Sequence, residues 1–189
     1  MSKLTRGIHI ILNRFYVKHK VRSCGKGLRI YGSLHLTHPE YISIGNSFCA
    51  GSSLKLETWP VYNKSSTGKK PELIIGNNVS FMDNCQISCL NKVQIEDNVL
   101  FGDNVFITDN MHGDSIKSEL CFPPIERRLI SKGPVIIGKN VWVGRNVCIM
   151  PGVTIGENSV IGANSVVTHN VQSYSIVAGT PAKVIKEVR

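Results

Sequence analysis

Six consecutive hexads decide the fold: Ile137-Gly-Lys-Asn-Val-Trp, Val143-Gly-Arg-Asn-Val-Cys, Ile149-Met-Pro-Gly-Val-Thr, Ile155-Gly-Glu-Asn-Ser-Val, Ile161-Gly-Ala-Asn-Ser-Val and Val167-Thr-His-Asn-Val-Gln. Each hexad opens with Ile or Val, and its fifth residue is Val or Ser. A period of six fits neither an amphipathic helix nor long alternating strands. It predicts a parallel β-solenoid with a corner every six residues, whose opening aliphatic side chains point inward. Gly or Asn near each corner tolerates the backbone angles that a corner requires.

The same phase appears earlier in the chain. Hexads open at Ile75, Phe81 and Ile87, and again at Ile95, Phe101 and Ile107. Further hexads are recognisable at Ile44 and Ala50, and weaker ones open at Ile30 and Leu36. The step from Ile87 to Ile95 is eight residues, so two residues are inserted at a corner. The step from Ile107 to Ile137 is thirty residues, or five hexads, and the phase survives it. We therefore expect one solenoid domain over residues 28–189.

Three segments interrupt the repeat. Residues 57–72 are rich in turn formers, and residues 109–133 form a long excursion between hexads in phase, a kind of loop that often carries function. Residues 1–27 form a basic segment with apolar residues at helical spacing. This segment predicts a helix that caps the open end of the solenoid, or else one that contacts anionic lipid.

Composition limits the remaining choices. The 189 residues contain 22 Lys+Arg and 13 Asp+Glu, a net charge of +9 that favours anionic ligands. Hydrophobic residues make up 42%, enough for a core, but no apolar run approaches the ~20 residues that span a bilayer. The six cysteines include no Cys-x-x-Cys pair, which disfavours disulfides and structural zinc. We expect a cytoplasmic protein, and the absence of a nucleic-acid motif predicts no nucleic-acid partner.

Over roughly residues 28–185, and most specifically over residues 137–185, the sequence resembles the bacterial hexapeptide-repeat transferases, in particular the galactoside, maltose, xenobiotic and polysaccharide-modifying O-acetyltransferases. The resemblance implies an all-β fold: a left-handed parallel β-helix with a short N-terminal helix and a protruding loop. It also implies a homotrimer with coenzyme A between subunits, so that each active site needs two chains. Acetyl-CoA would be the acyl donor, and no metal is expected.

The same resemblance indicates the residues of catalysis. Alignment through Asn104-Val-Phe-Ile places the family's general base on His112, at the start of the excursion. An imidazole titrates near neutral pH and can remove a hydroxyl proton during attack on a thioester. Asp109 either orients this imidazole or accepts backbone N–H bonds in a turn. The acceptor-binding or oxyanion-stabilising Asn of the family falls on Met82 by strict spacing, so Asp83 or Asn84 would substitute for it.

Coenzyme A contacts are also implied by the family pattern. Trp142, Gly144, Arg145 and Ala163 match positions along the pantetheine arm, although corner glycines and small residues recur for structural reasons alone. Nearer the nucleotide, the matching residues are Thr168, His169, Lys183 and Lys186. Lys183 and Lys186 are suitable phosphate partners, because each ammonium group is a point charge. At the position of His169 the family more often has Lys.

The sequence thus predicts an acetyl-CoA-dependent O-acetyltransferase that modifies a sugar hydroxyl of a surface polysaccharide or its precursor by direct attack. N-acetylation of an amino sugar is the alternative within the same chemistry. A γ-type carbonic anhydrase would need three zinc-binding histidines, and His112 has no histidine nearby in sequence. A non-enzymatic scaffold is a further alternative. A ping-pong route through Cys85, Cys89 or Cys121 is disfavoured because no flanking charge lowers a thiol pKa.

Overall fold

The computed structural model describes the backbone of residues 3–187 and the side chains of residues 7–187. Residues 1, 2, 188 and 189, which belong to the expected segments 1–27 and 28–189, lie outside the described residues. Helix α1 (Lys3–Lys20) precedes a three-sided left-handed parallel β-helix. The predicted all-β fold, with its short N-terminal helix and protruding loop, is therefore confirmed.

Each side of the prism is a sheet that receives one strand per coil, and strands are numbered along the chain. Face 1 contains β1 (Ser23–Cys24), β4 (Ile42–Ile44), β9 (Glu72–Ile75), β12 (Lys92–Ile95), β17 (Val135–Ile137) and β20 (Thr154–Ile155). Face 2 contains β2 (Arg29–Ile30), β5 (Cys49–Ala50), β10 (Ser80–Phe81), β13 (Leu100–Phe101), β18 (Trp142–Val143), β21 (Val160–Ile161), β23 (Ser175–Gly179) and β24 (Ala182–Glu187). Face 3 contains β3 (Leu34–Thr37), β6 (Leu54–Thr58), β11 (Gln86–Cys89), β14 (Phe106–Thr108), β19 (Cys148–Ile149) and β22 (Val166–Val167). Neighbours on a face are parallel, except that β24 turns back antiparallel to β23.

The core follows the six-residue period. The aliphatic residues that open the six hexads from Ile137 onward are all buried, and so are their fifth residues, including Ser159 and Ser165. Larger side chains fill face 2 of the earlier coils, where Phe81 and Phe101 stack with ring centroids 4.3 Å apart. Removing this apolar surface from water is the main stabilising contribution to the solenoid.

The fourth residue of each regular hexad turns the corner. Asn140, Asn146, Asn158 and Asn164 have φ between 55° and 59°, in the left-handed region that Asn tolerates well. Their side-chain amides also form ladders, since Asn140 Nδ2 donates to Asn158 Oδ1 at 3.0 Å and Asn146 Nδ2 to Asn164 Oδ1 at 2.9 Å. The corners are thus held from coil to coil by side chains as well as by backbone.

Three insertions into the six-residue period occur where face 3 meets face 1, and we call this junction the loop edge. The first carries the hairpin β7 (Val61–Tyr62) and β8 (Ser65–Ser66), the second is the two-residue step at Leu90–Asn91, and the third is the excursion that begins at Asp109. The excursion contains β15 (Met111–His112), α2 (Lys117–Leu120), a 3₁₀ turn (Pro124–Glu126) and β16 (Leu129–Ile130). A further 3₁₀ turn, Pro39–Tyr41, lies on the same edge in the first coil. The junction where face 2 meets face 3 has only short corners, and we call it the plain edge.

Helix α1 lies across the first coil. Val17 is fully buried, and Asn13 Nδ2 donates to the carbonyls of Ile30 (3.2 Å) and Gly32 (2.9 Å). Its outward side leaves Ile11 and Phe15 each 69% exposed. Among the residues that the structure describes, no helix is long and apolar enough to span a membrane.

Candidate functional site

His112 lies on the loop edge, four residues after the end of β14. Its strand β15 pairs antiparallel with β16, with His112 opposite Leu129, so the excursion folds back beside its own start. The imidazole is exposed and lines a cavity of about 510 Å³. The cavity wall includes Gln86, Ser88 and Phe106 of face 3, together with Tyr62 of the hairpin and Trp59, which precedes the hairpin. The hairpin and the excursion therefore enclose the predicted base against one face of the solenoid.

Tyr62 fixes the tautomer of His112. The Tyr62 hydroxyl oxygen lies 2.9 Å from the Ile125 carbonyl oxygen and 3.2 Å from His112 Nδ1. A carbonyl only accepts, so the single hydroxyl proton goes to Ile125 and the Tyr62 oxygen accepts from Nδ1–H. In this network the neutral imidazole carries its proton on Nδ1, which leaves the lone pair on Nε2 available. Sequence reasoning did not identify Tyr62.

The hairpin is held against the excursion by further polar contacts. Asn63 Nδ2 donates to the same Ile125 carbonyl at 2.6 Å, and Trp59 Nε1 donates to Ser88 Oγ at 2.9 Å. The Trp59 ring meets Tyr62 edge-on at 6.3 Å. These contacts position Tyr62, and through it the imidazole, from two separate segments of the chain.

Asp109 is a backbone anchor in this structure, the second of the two roles considered from the sequence. Its fully buried carboxylate accepts three backbone N–H bonds of 2.7 Å: Leu90 to Oδ1, and Asn91 and Lys92 to Oδ2. The group that contacts His112 Nδ1 is Tyr62 and not this carboxylate. The proposed orienting role of Asp109 is thus corrected, because its oxygens are committed to the two-residue step one coil below.

Asp83 and Asn84 occupy a corner of the plain edge, outside the cavity of His112 in the same chain. Asp83 Oδ1 accepts the backbone N–H of Ser52 at 2.7 Å, and Asn84 takes the corner conformation with φ 60°. Arg145 and Ala163 turn the corresponding corners of later coils. The predicted acceptor residues therefore share an edge with part of the predicted coenzyme A set.

The other residues expected to hold coenzyme A are spread over the C-terminal coils. Gly144 stacks so closely on the next corner that a Cβ there would lie 2.7 Å from the Ala163 nitrogen. Thr168 and His169 lie on the loop edge, with Oγ1 and Nδ1 2.9 Å apart. Three exposed side chains complete the set: Trp142 of β18, and Lys183 and Lys186 of β24. One chain does not gather this set around its own His112.

Burial makes the core cysteines poor nucleophiles. It raises the pKa of the Cys85 thiol to about 11 and that of Cys89 well above its usual 9.0. Both groups are therefore neutral near pH 7, which agrees with direct transfer and disfavours a thioester on either residue. Within residues 7–187, no cluster of three His, Cys, Asp or Glu side chains could hold a metal ion.

Comparisons with known proteins agree with this architecture. Residues 134–169 match the family described as bacterial transferase hexapeptide (six repeats). WbbJ of Escherichia coli (strain K12), which carries the name of a lipopolysaccharide biosynthesis O-acetyl transferase, is 34% identical over 149 residues, covering 77% of this chain and 71% of WbbJ.

Solved structures match over nearly the whole chain. A galactoside acetyltransferase in complex with coenzyme A is 27% identical with a TM-score of 0.63, covering 93% of this chain and 70% of that one. The N-acyltransferase AntD of Bacillus cereus has a TM-score of 0.75 at 20% identity, covering 94% and 89%, a likeness of fold. The repeat, the fold and the relatives together place this chain in the bacterial hexapeptide-repeat transferase family, as an acyltransferase.

Proposed function

We propose that this protein is an acetyl-CoA-dependent O-acetyltransferase acting on a sugar hydroxyl of a surface polysaccharide or its precursor, with His112 as the general base. The observation that carries the proposal is the His112 imidazole, with Nδ1 bonded to Tyr62 and Nε2 available beside a cavity. The name of WbbJ and the coenzyme A bound to the galactoside acetyltransferase support the acceptor class and the donor.

In the proposed reaction the donor supplies an acyl group already activated as a thioester. His112 Nε2 removes the proton of the acceptor hydroxyl as that oxygen attacks the acyl carbon, and the imidazolium then protonates the departing thiolate. Tyr62 accepts from Nδ1–H throughout and stabilises the imidazolium by that hydrogen bond. A serine or cysteine nucleophile is not needed, because positioning and a base suffice for direct transfer.

We further propose a homotrimer with active sites between subunits. Within one chain His112 lies on the loop edge, whereas Asp83, Asn84, Arg145 and Ala163 lie on the plain edge. Side-by-side packing in a closed ring would set the loop edge of one chain against the plain edge of the next. The predicted base and the predicted coenzyme A contacts would then meet across each interface.

Calorimetric titration with acetyl-CoA, followed by turnover assays on sugar acceptors, tests the proposal. Wild type should bind acetyl-CoA saturably, near one per chain. His112→Gln should retain that binding while turnover falls at least about 100-fold, the range of a lost general base. His35→Gln is a matched control, because it removes an exposed imidazole outside the cavity of His112, and it should keep the wild-type turnover rate. Full activity of His112→Gln would refute the base assignment.

An amine acceptor is the second candidate. The fold likeness to the N-acyltransferase AntD covers 94% of the chain, and the same base could serve an amino sugar. Parallel assays with a sugar and its amino-sugar counterpart decide between O- and N-transfer.

We also propose that α1 contacts an anionic membrane surface from the cytoplasm. Its outward side exposes Ile8, Ile11, Leu12 and Phe15, at half or more of their surface. The helix sequence contains basic residues and no acidic ones. Self-pairing of this face would bring cations together without compensation, whereas anionic headgroups would neutralise them.

A further inference from the structure

A second cavity, of about 570 Å³, lies beside the cavity of His112, between the hairpin β7–β8 and residues 126–131. The two cavities share Tyr62 and Leu129 in their walls. The Tyr62 hydroxyl is 3.2 Å from His112 Nδ1, so the second cavity begins one side chain away from the proposed base. A single acceptor molecule could therefore reach both.

The walls of the second cavity are unusually rich in cations and hydroxyls. Lys69, Arg127 and Arg128 line it, and Glu126 is the only carboxylate residue in the lining. The hydroxyls of Ser65 and Ser66 can contribute further donors, whereas those of Thr67 and Ser131 in the same lining donate to backbone carbonyls. A neutral glycan needs no cations, whereas an oxyanion is bound well by Lys and Arg with hydroxyl support.

The cations differ in how far the protein already neutralises them. Arg128 is paired with Glu119 at 2.9 Å. Arg127 donates to the carbonyl oxygens of Phe122 (2.9 Å) and Leu120 (3.0 Å), so its guanidinium is fixed in place but its charge is not cancelled. Within residues 7–187, no carboxylate forms an ion pair with Lys69. The cavity thus presents net positive charge.

We infer that this second cavity binds the diphosphate of an acceptor sugar carried on a diphosphate ester, while the sugar hydroxyl lies at His112. The inference rests on the proposed function and names its acceptor class. The volume falls in the ~300–1,000 Å³ range of small-molecule sites and exceeds what a single carboxylate fills. Both a nucleotide-linked and a lipid-linked sugar contain the diphosphate, and the experiment separates them.

The experiment is calorimetric titration of the full-length chain saturated with coenzyme A, which occupies any diphosphate site of the donor. The probes are inorganic pyrophosphate, UDP and geranyl diphosphate. We expect saturable binding near one per chain, weakened about tenfold by Lys69→Gln, the size expected for one lost charged hydrogen bond. Lys70→Gln removes the same charge from the adjacent exposed residue, outside the lining, and should change affinity less than about twofold.

Tighter binding of UDP would identify nucleotide-linked acceptors, and tighter binding of geranyl diphosphate would identify lipid-linked ones; either supports the inference. Absence of saturable binding by all three probes at millimolar concentration, or equal weakening by Lys69→Gln and Lys70→Gln, would overturn it. Failure of the proposed function is seen separately, as absence of acetyl-CoA binding. If acetyl-CoA does not bind, the three diphosphate probes are titrated into the unliganded chain. Saturable binding weakened by Lys69→Gln then still supports the inference, and its absence still overturns it.

Discussion

Replacing Asp109 by Asn separates a structural role from a catalytic one at the loop edge. The carboxylate accepts three backbone N–H bonds of 2.7 Å from Leu90, Asn91 and Lys92 in a fully buried position. An amide offers one oxygen, so it can keep the two bonds to Asn91 and Lys92 but must turn its NH₂ group toward the Leu90 N–H.

The expected destabilisation follows from these contacts. Loss of one charged hydrogen bond, with a buried N–H left unsatisfied, costs about 2 kcal/mol. Each of the two remaining bonds becomes neutral and weakens by about 1 kcal/mol. The free energy of unfolding should therefore fall by about 4 kcal/mol, a large part of the 5–15 kcal/mol typical of a domain. For a chain of this length the Tm should drop by roughly 8–16 °C.

The assay is thermal unfolding at one fixed protein concentration, because assembly would make Tm concentration-dependent, together with turnover per folded molecule. Asp114→Asn is the matched control, since its Oδ1 accepts only the Ser115 N–H at 2.8 Å in the excursion; it should cost less than about 1 kcal/mol. For Asp109→Asn, kcat below the transition should stay within twofold of wild type. A Tm within about 3 °C of wild type, with kcat reduced tenfold, would refute the anchoring argument and restore the orienting role.

Three further predictions concern other parts of the molecule. Tyr62→Phe removes the acceptor for His112 Nδ1–H, so kcat should fall about tenfold while acetyl-CoA binding is unchanged. ¹⁵N NMR of this variant should show a mixture of the two imidazole tautomers. An unchanged kcat would contradict the role assigned to Tyr62. Because burial raises the folded pKa of Cys85 to about 11, stability is retained below pH 9 and lost between pH 9 and 11, by up to about 1.4 kcal/mol per pH unit. Chemical denaturation should show this slope and Cys85→Ala should reduce it, whereas identical slopes would be inconsistent with the assignment. Phe15→Ser should weaken co-sedimentation with phosphatidylglycerol vesicles several-fold; wild-type binding that is equal on phosphatidylcholine vesicles would exclude recognition of anionic lipid.

The solenoid could be predicted from the sequence because its inward positions recur at fixed spacing. The hexads from Ile137 to Val167, the two-residue step after Ile87 and the phase maintained across the excursion are all visible in the printed letters. Each coil repeats the same local environment, so a position that is buried in one hexad is buried in the next. His112 is singled out by the family resemblance, through alignment at Asn104-Val-Phe-Ile, and its role as the base stays a prediction.

Tyr62 and the role of Asp109 could not be predicted in the same way. The hairpin and the excursion both leave from face 3, and only the stacked coils reveal that they emerge side by side on one edge. Asp109 is compatible with either role in isolation. The pairing of Ser88 with Thr108 sets the Asp109 carboxylate over the turn at Leu90–Asn91. This proximity between neighbouring coils makes the carboxylate accept backbone N–H bonds from the turn.

The asparagine ladder shows how little the solenoid depends on what projects from it. Asn78, Asn98, Asn140 and Asn158 are linked in succession at 3.1, 3.1 and 3.0 Å, although the sequence separations are 20, 42 and 18 residues. Closing a loop of twice the length costs only about 0.6 kcal/mol more. The length of the excursion beyond Asp109 therefore has little effect on the register of the coils on either side, so insertions or deletions in residues 114–128 should be tolerated as long as the contacts of Asp109 are kept.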